Sequence, residues 1–198
     1  MRRVVFDVET TGLPSRLPDG TRDYSRARLL QVAHVVCDAA WNVLSRASFV
    51  VRPDGFPVAG TEIHGITAER AQSEGVPFEQ AIVPILDAFR PSEGLVQAYA
   101  HNSSFDVGIL RSELERRGRA LDVAALDALE VRCTMIGTQR LVNARDVRGR
   151  VKWPKLSELY LAATGEVMCD AHDALRDVEN LAEAMRRLVA DGKVSPEF

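Results

Sequence analysis

The apolar positions along the chain follow two periods. Arg3 to Glu9 (RVVFDVE) and Leu29 to Asp38 (LLQVAHVVCD) are β-branched, apolar runs that predict strands. Val43 to Arg52 predicts a third, and the short turn at Ala39 to Asn42 makes the second and third an antiparallel hairpin. Gly94 to Ala100 (GLVQAYA) predicts a short buried strand, and Leu129 to Thr134 another. Helical spacing governs Phe78 to Phe89 in spite of Pro84. It returns in a helix that Ser103 or Ser104 caps, that runs to Arg117 and that Gly118 ends. Leu156 to Ala163 predicts a short helix stopped near Gly165. Asp173 to about Ala190 predicts the last, with Leu175, Val178, Leu181, Ala182, Met185 and Leu188 as its apolar stripe. Such elements make a mixed sheet with helices, an α/β fold. Residues 13–28 (LPSRLPDGTRDYSRAR), dense in Gly, Pro and charge, read as a loop.

Composition narrows the class. With 198 residues, 46% hydrophobic and 27% charged, the chain is long enough to bury a core without a disulfide or structural metal, and residues 1–198 read as a single domain. No apolar run approaches the roughly 18 residues of a spanning helix, and Asp7 and Glu9 interrupt the stretch that a signal peptide would need. Cys37, Cys133 and Cys169 are odd in number and far apart, so they read as reduced, mostly buried thiols of a cytoplasmic protein. The net charge of -3 does not exclude nucleic acid, because a binder needs only a local positive surface. Basic residues thicken from Arg132 to Lys155, where Arg140, Arg145, Arg148, Arg150 and Lys152 face little acid beyond Asp146. That stretch reads either as a solvated loop or as a phosphate path, with Trp153 either a stacking platform or packed core.

The candidate chemistry is carboxylate-rich. Asp7 and Glu9 sit at i and i+2 on a strand, so both point to one face while Phe6 and Val8 point to the other. Like charges this close need a cation or a partner, and the pair alone is equally an exposed face matched with arginines. His101-Asn102-Ser103-Ser104-Phe105-Asp106 follows a predicted strand at the junction where α/β sheets hold ligands, although an acidic residue in a first helical turn also answers the helix dipole. His172 stands five residues before Asp177 at the mouth of the last helix, where an imidazole beside a metal-bound water can act as general base. Three acidic clusters at strand and helix ends, without thiolates at zinc spacing, favour hard Mg²⁺ or Mn²⁺.

These segments resemble the DnaQ-like 3′-to-5′ exonucleases of the DEDDh type, which include DNA polymerase III proofreading subunits and oligoribonucleases. FDVETTG (Phe6 to Gly12) is similar to the first motif, HNSSFDVGIL (His101 to Leu110) to the second and HDALRDV (His172 to Val178) to the third. IHGIT (Ile63 to Thr67) resembles a substrate-contacting segment. His172, rather than a tyrosine four residues before Asp177, places the chain in the histidine subtype. The resemblance implies an RNase H-like fold, a mixed five-stranded sheet flanked by helices. It implies hydrolysis of single-stranded DNA or RNA 3′ ends to 5′-mononucleotides with two Mg²⁺ or Mn²⁺ ions. Asp7 would bridge both ions, Glu9, Asp106 and Asp177 would complete their shells, and His172 would be the base. Thr10, Thr11, Gly12 and Leu13 would receive the terminal nucleotide, with His64, Asn102 and Phe105 as further substrate contacts and Asp173 as a helix cap.

Two other readings compete. FDVET resembles the strand end of haloacid-dehalogenase-type phosphohydrolases, but that chemistry needs a catalytic lysine, and the lysines here are only Lys152, Lys155 and Lys193. A catalytically silent module that binds nucleic acid or a polymerase is the alternative from another class. DNA against RNA, association with a polymerase and oligomeric state stay open, and no membrane partner is expected.

Overall fold

A computed structural model describes residues 1–90, 94–169 and 172–195. Its main sheet has the order β5-β4-β1-β6-β7, built from β1 (Arg2–Thr10), β4 (Leu29–Cys37), β5 (Val43–Val50), β6 (Val96–Ala100) and β7 (Val131–Cys133). β4 runs antiparallel to both β1 and β5, whereas β6 is parallel to β1 and β7 to β6. This is the expected mixed five-stranded sheet.

Strand alternation divides the core in two. Val4, Phe6, Val8 and Val32 face α3 (Phe78–Phe89) and α4 (Ser103–Arg116). Val5, Ala33 and Val35 face α8 (Leu156–Thr164) and α9 (Ala174–Ala190). Pro84 does not break α3, and the α9 stripe is buried from Val178 to Leu188, with Leu175 half-buried at its margin. The ends of β1 and β6 and the starts of α4 and α9 therefore meet at one end of the sheet.

Several details differ from expectation. Asn102, in a left-handed conformation at φ 75°, precedes α4 in place of a serine, and no side chain caps it. Phe105 N–H instead donates to the Asn102 carbonyl at 2.8 Å. Residues 13–28 are not merely a loop, because β2 (Ser15–Arg16) and β3 (Arg22–Asp23) form a small hairpin. The short helices α1 (Thr61–His64), α2 (Ala68–Ser73), α5 (Ala120–Asp127), α6 (Thr134–Gly137) and α7 (Gln139–Val142) carried no readable period. Of the thiols only Cys37 is buried; Cys133 is half-buried and Cys169 exposed. No helix among the described residues is long and apolar enough to cross a membrane.

Candidate active site

Asp7 and Glu9 continue the Val5 face of β1, on the α9 side, while Phe6 and Val8 enter the opposite core. A register shift between Glu9 and Thr10 marks the strand end, the kind of bulge that re-aims chain beside a site. Pairing of β1 with β6 stops at Val5 opposite Tyr99. Beyond it, the Val8 N–H donates to Asp106 Oδ1 at 3.2 Å, so a buried donor is satisfied by the carboxylate in the first turn of α4. Asp106 is itself buried.

The third contribution comes from the start of α9. Asp173 caps it, accepting from the N–H groups of Leu175 and Arg176 at 3.1 and 3.2 Å. Gln31, opposite Glu9 in the β1–β4 register, donates from Nε2 to Asp173 Oδ2 at 3.2 Å and accepts the Ala174 N–H on Oε1 at 3.2 Å. This buried amide fixes the helix entrance against the strand that carries Glu9. His172 has a left-handed backbone at φ 72°, and its N–H donates to Asp177 Oδ2 at 3.2 Å. One ligand-capable atom from each of Glu9, His172 and Asp177 lies within 4.8 Å of the other two. Asp7 and Asp106 line the same cavity outside that trio.

Crowding shifts the protons. Burial, then the charges of Asp106, Asp177 and Glu9, push Asp7 well above the usual carboxylate range. Burial also raises Asp106. Glu9 is pushed up to about 8 by burial and then by Asp177 and Asp106, and Asp177 to about 6 chiefly by burial. The metal-free folded state therefore holds protons that the unfolded chain releases near ordinary carboxylate values. Its stability should fall as the pH rises from about 4.5 towards 8, the interval between the ordinary and folded values of Glu9. Thermal unfolding in EDTA across that interval checks this, and Glu9→Gln should flatten the decline. A midpoint that rises with pH in this window would contradict the crowded-carboxylate description.

A cavity of about 350 Å³ gathers the site. Thr10, Gly12 and Leu13 form one wall, and Asn102 and Phe105 another. Thr11 does not line it: its N–H donates to the Arg28 carbonyl at 2.9 Å and its hydroxyl accepts the Arg28 N–H at 3.1 Å, fastening the wall to the chain entering β4. His64 lines the cavity, but both ring nitrogens are occupied. Nδ1 accepts the Ile66 N–H at 3.0 Å and Nε2 donates to the Ala59 carbonyl at 2.9 Å, so only a ring edge is left for a ligand. His101 is similarly engaged, with Nε2 donating to the Pro154 carbonyl at 2.9 Å and Nδ1 bonded to the Thr134 hydroxyl at 3.0 Å. Burial lowers its pKa, consistent with a neutral structural ring.

Gln31 and Gly60 escaped the sequence reading, although a polar residue inside the apolar run LLQVAHVVC was a usable signal for the first. The basic stretch is also less free than its composition implies. Arg150 pairs with Asp146 at 2.7 Å, Lys152 with Glu158 at 2.5 Å and Arg132 with Glu130 at 3.3 Å, while Arg145 donates to the Gly149 carbonyl at 2.8 Å. Trp153 is exposed rather than packed core.

The sequence model of the exonuclease family matches residues 4–185, which include all five of these acidic and histidine positions. The chain belongs to the exonuclease family. A Mycobacterium tuberculosis protein named as a bifunctional exonuclease/endonuclease is 29% identical over 187 residues, 94% of this chain and 26% of its own length. The 3′-5′ exonuclease DinG of Bacillus subtilis is 31% identical over 134 residues, 66% of this chain and 13% of its own. The exonuclease chain thus spans about a quarter or less of these relatives. Among solved structures, Escherichia coli exonuclease I in complex with a dT13 oligonucleotide superposes with a TM-score of 0.76 at 21% identity, over 95% of this chain and 40% of that one. That likeness establishes the shared RNase H-like exonuclease fold.

The residues present fit a divalent cation. Their donors are chiefly carboxylate oxygens, hard ligands of the kind that suit Mg²⁺ or Mn²⁺, with one borderline imidazole beside them. Among the described residues Asp177 Oδ1 is buried without a hydrogen-bond partner, in a cluster whose carboxylates raise the pKa of Asp7.

Proposed function

We propose that the chain is a metal-dependent 3′-to-5′ exonuclease acting on single-stranded nucleic acid, with residues 1–198 as one exonuclease domain. The observation that carries this reading is the convergence of Asp7, Glu9, Asp106 and Asp177 with His172 in one cavity, with one buried oxygen of Asp177 unpartnered among the described residues. When bound, a pair of Mg²⁺ or Mn²⁺ ions supplies Lewis-acid polarisation of the phosphate, an acidified water and charge neutralisation at the leaving oxygen. Asp7, Glu9, Asp106 and Asp177 are the residues that would hold them.

The remaining steps belong to the chain itself. His172 takes the proton as the water oxygen bonds to phosphorus and the 3′ oxygen of the preceding nucleotide leaves, releasing a 5′-mononucleotide. Gly12 and exposed Leu13 offer backbone and an apolar face to the terminal nucleotide, opposite Phe105 and Asn102. The 3′-5′ polarity in the name of the Bacillus subtilis relative supports the direction, and the dT13 complex of exonuclease I supports a DNA strand as substrate. Incubation of single-stranded DNA and short RNA with Mg²⁺ or Mn²⁺ tests the proposal. Shortening that excess EDTA abolishes is the expected result, whereas retention of the strand without shortening would make the chain a binding module.

A further inference from the structure

The β2–β3 hairpin places Arg16 directly opposite Arg22, with Ser15 opposite Asp23. Cross-strand neighbours lie close enough to interact, and like charges at such positions are destabilising. Both arginines are exposed, and neither guanidinium has a hydrogen-bond or ion-pair partner among the described residues. The acids of this segment are engaged elsewhere. Asp19 accepts from the Thr21 N–H and hydroxyl at 2.9 and 2.6 Å, and Asp23 from the Ser25 N–H and hydroxyl at 2.8 and 2.9 Å. The fold thus sets two exposed cations opposite one another with no acid paired to either among the described residues.

That pair lines a groove of about 330 Å³ that shares Leu13, Asn102 and Phe105 with the catalytic cavity, so the two spaces lie on either side of one wall. The hairpin is also held in place. The Tyr24 ring lies on the bare helix face at Gly108, where a Cβ would fall 2.2 Å from Tyr24 Cζ. The Tyr24 hydroxyl donates to the Ser104 carbonyl at 2.8 Å, and Arg116 Nη2 donates to the Tyr24 carbonyl at 3.1 Å. Within the hairpin, Leu17 N–H donates to the Thr21 carbonyl at 2.9 Å.

We propose that Arg16 and Arg22 form a phosphate clamp for the strand upstream of its terminal nucleotide. The substrate class is then a polynucleotide with at least one phosphodiester beyond the scissile bond. A guanidinium matches phosphate bidentately, an anion between the two arginines converts their repulsion into attraction, and Leu13 with Phe105 separates the clamp from the carboxylates. The inference rests on the exonuclease reading above.

Its test is binding of a fluorescent oligothymidylate in Ca²⁺ across a salt series, for the wild type, Arg16→Ala with Arg22→Ala, and Arg16→Lys with Arg22→Lys. Each lost single-strand phosphate contact lowers the magnitude of the log–log salt slope by about 0.7, so the double alanine variant, which gives up the one clamped phosphate, should lose about 0.7. Its affinity at low salt should fall roughly tenfold. The double lysine variant should keep the slope, and the alanine variant should unfold at the same or a higher temperature at low salt because repulsion is relieved. Unchanged affinity and slope in the alanine variant, with a wild type that shortens the oligonucleotide in Mg²⁺, would overturn the clamp and leave the exonuclease reading intact. A wild type that shortens no strand would overturn the exonuclease reading itself.

Discussion

Asp7→Ala should abolish turnover while leaving the metal-free protein as stable as the wild type or slightly more so. The two effects share one cause. Asp7 stands among Asp106, Asp177 and Glu9, and burial together with those charges disfavours its ionised form. Removing it relieves the apo cluster and removes a ligand from the ions that would stabilise charge on the reacting phosphate. Loss of several kcal/mol of that stabilisation, at about 1.4 kcal/mol per decade, corresponds to at least about 10³-fold in rate. Turnover in Mn²⁺ and thermal unfolding in EDTA, on the same preparation, read both effects. The midpoint in EDTA should equal or exceed the wild-type value, and the rise on adding Mn²⁺ should shrink. Activity near the wild-type level would remove Asp7 from the catalytic machinery.

His172→Ala should lower turnover by about 10²–10⁴-fold, the usual contribution of a general base. The geometry admits two roles, because a His172 ring nitrogen lies within 4.8 Å of a carboxylate oxygen of both Glu9 and Asp177. A base and a ligand leave different signatures. If His172 is the base, Mn²⁺ affinity measured calorimetrically should persist in the variant, and the acid limb of its pH–rate profile should disappear. Lost Mn²⁺ affinity with the acid limb retained would assign the imidazole to the metal shell. The backbone of His172 contributes separately: its N–H bond to Asp177 and the Gln31–Asp173 contact hold the turn, and neither needs the ring.

The long elements of this fold were legible because burial writes a pattern into them. β1 and β4 are buried at nearly every residue and so read as unbroken β-branched apolar runs, while α9 buries one face and keeps its helical spacing in the sequence. The short ones were not. Thr61–His64 spans four residues between glycines at φ 81° and 68°, too few for any period. The β2–β3 hairpin has two residues per strand, and what holds it is tertiary, the Tyr24 ring on Gly108.

The site divides along the same line. Carboxylates at strand and helix ends announce themselves, and Asp7, Glu9, Asp106, Asp177 and His172 all line one cavity. Contact roles inferred from motif likeness fared less evenly, because they depend on where hydrogen bonds go. Thr11 spends its hydroxyl on Arg28, and His64 spends both nitrogens on Ala59 and Ile66. Gln31 and the Arg16–Arg22 pair act through partners distant in sequence or through a register that composition does not encode.

A time course on one single-stranded DNA, labelled at its 3′ end in one sample and at its 5′ end in another, in Mg²⁺ or Mn²⁺, separates 3′-to-5′ removal of nucleotides from every other mode of cleavage. The 3′ label should appear at once as a mononucleotide while the 5′-labelled strand shortens stepwise, and both changes should cease in EDTA and in Asp7→Ala. First release of the 5′ label, internal cuts, or a strand that stays bound at full length would rule out 3′-to-5′ exonuclease activity.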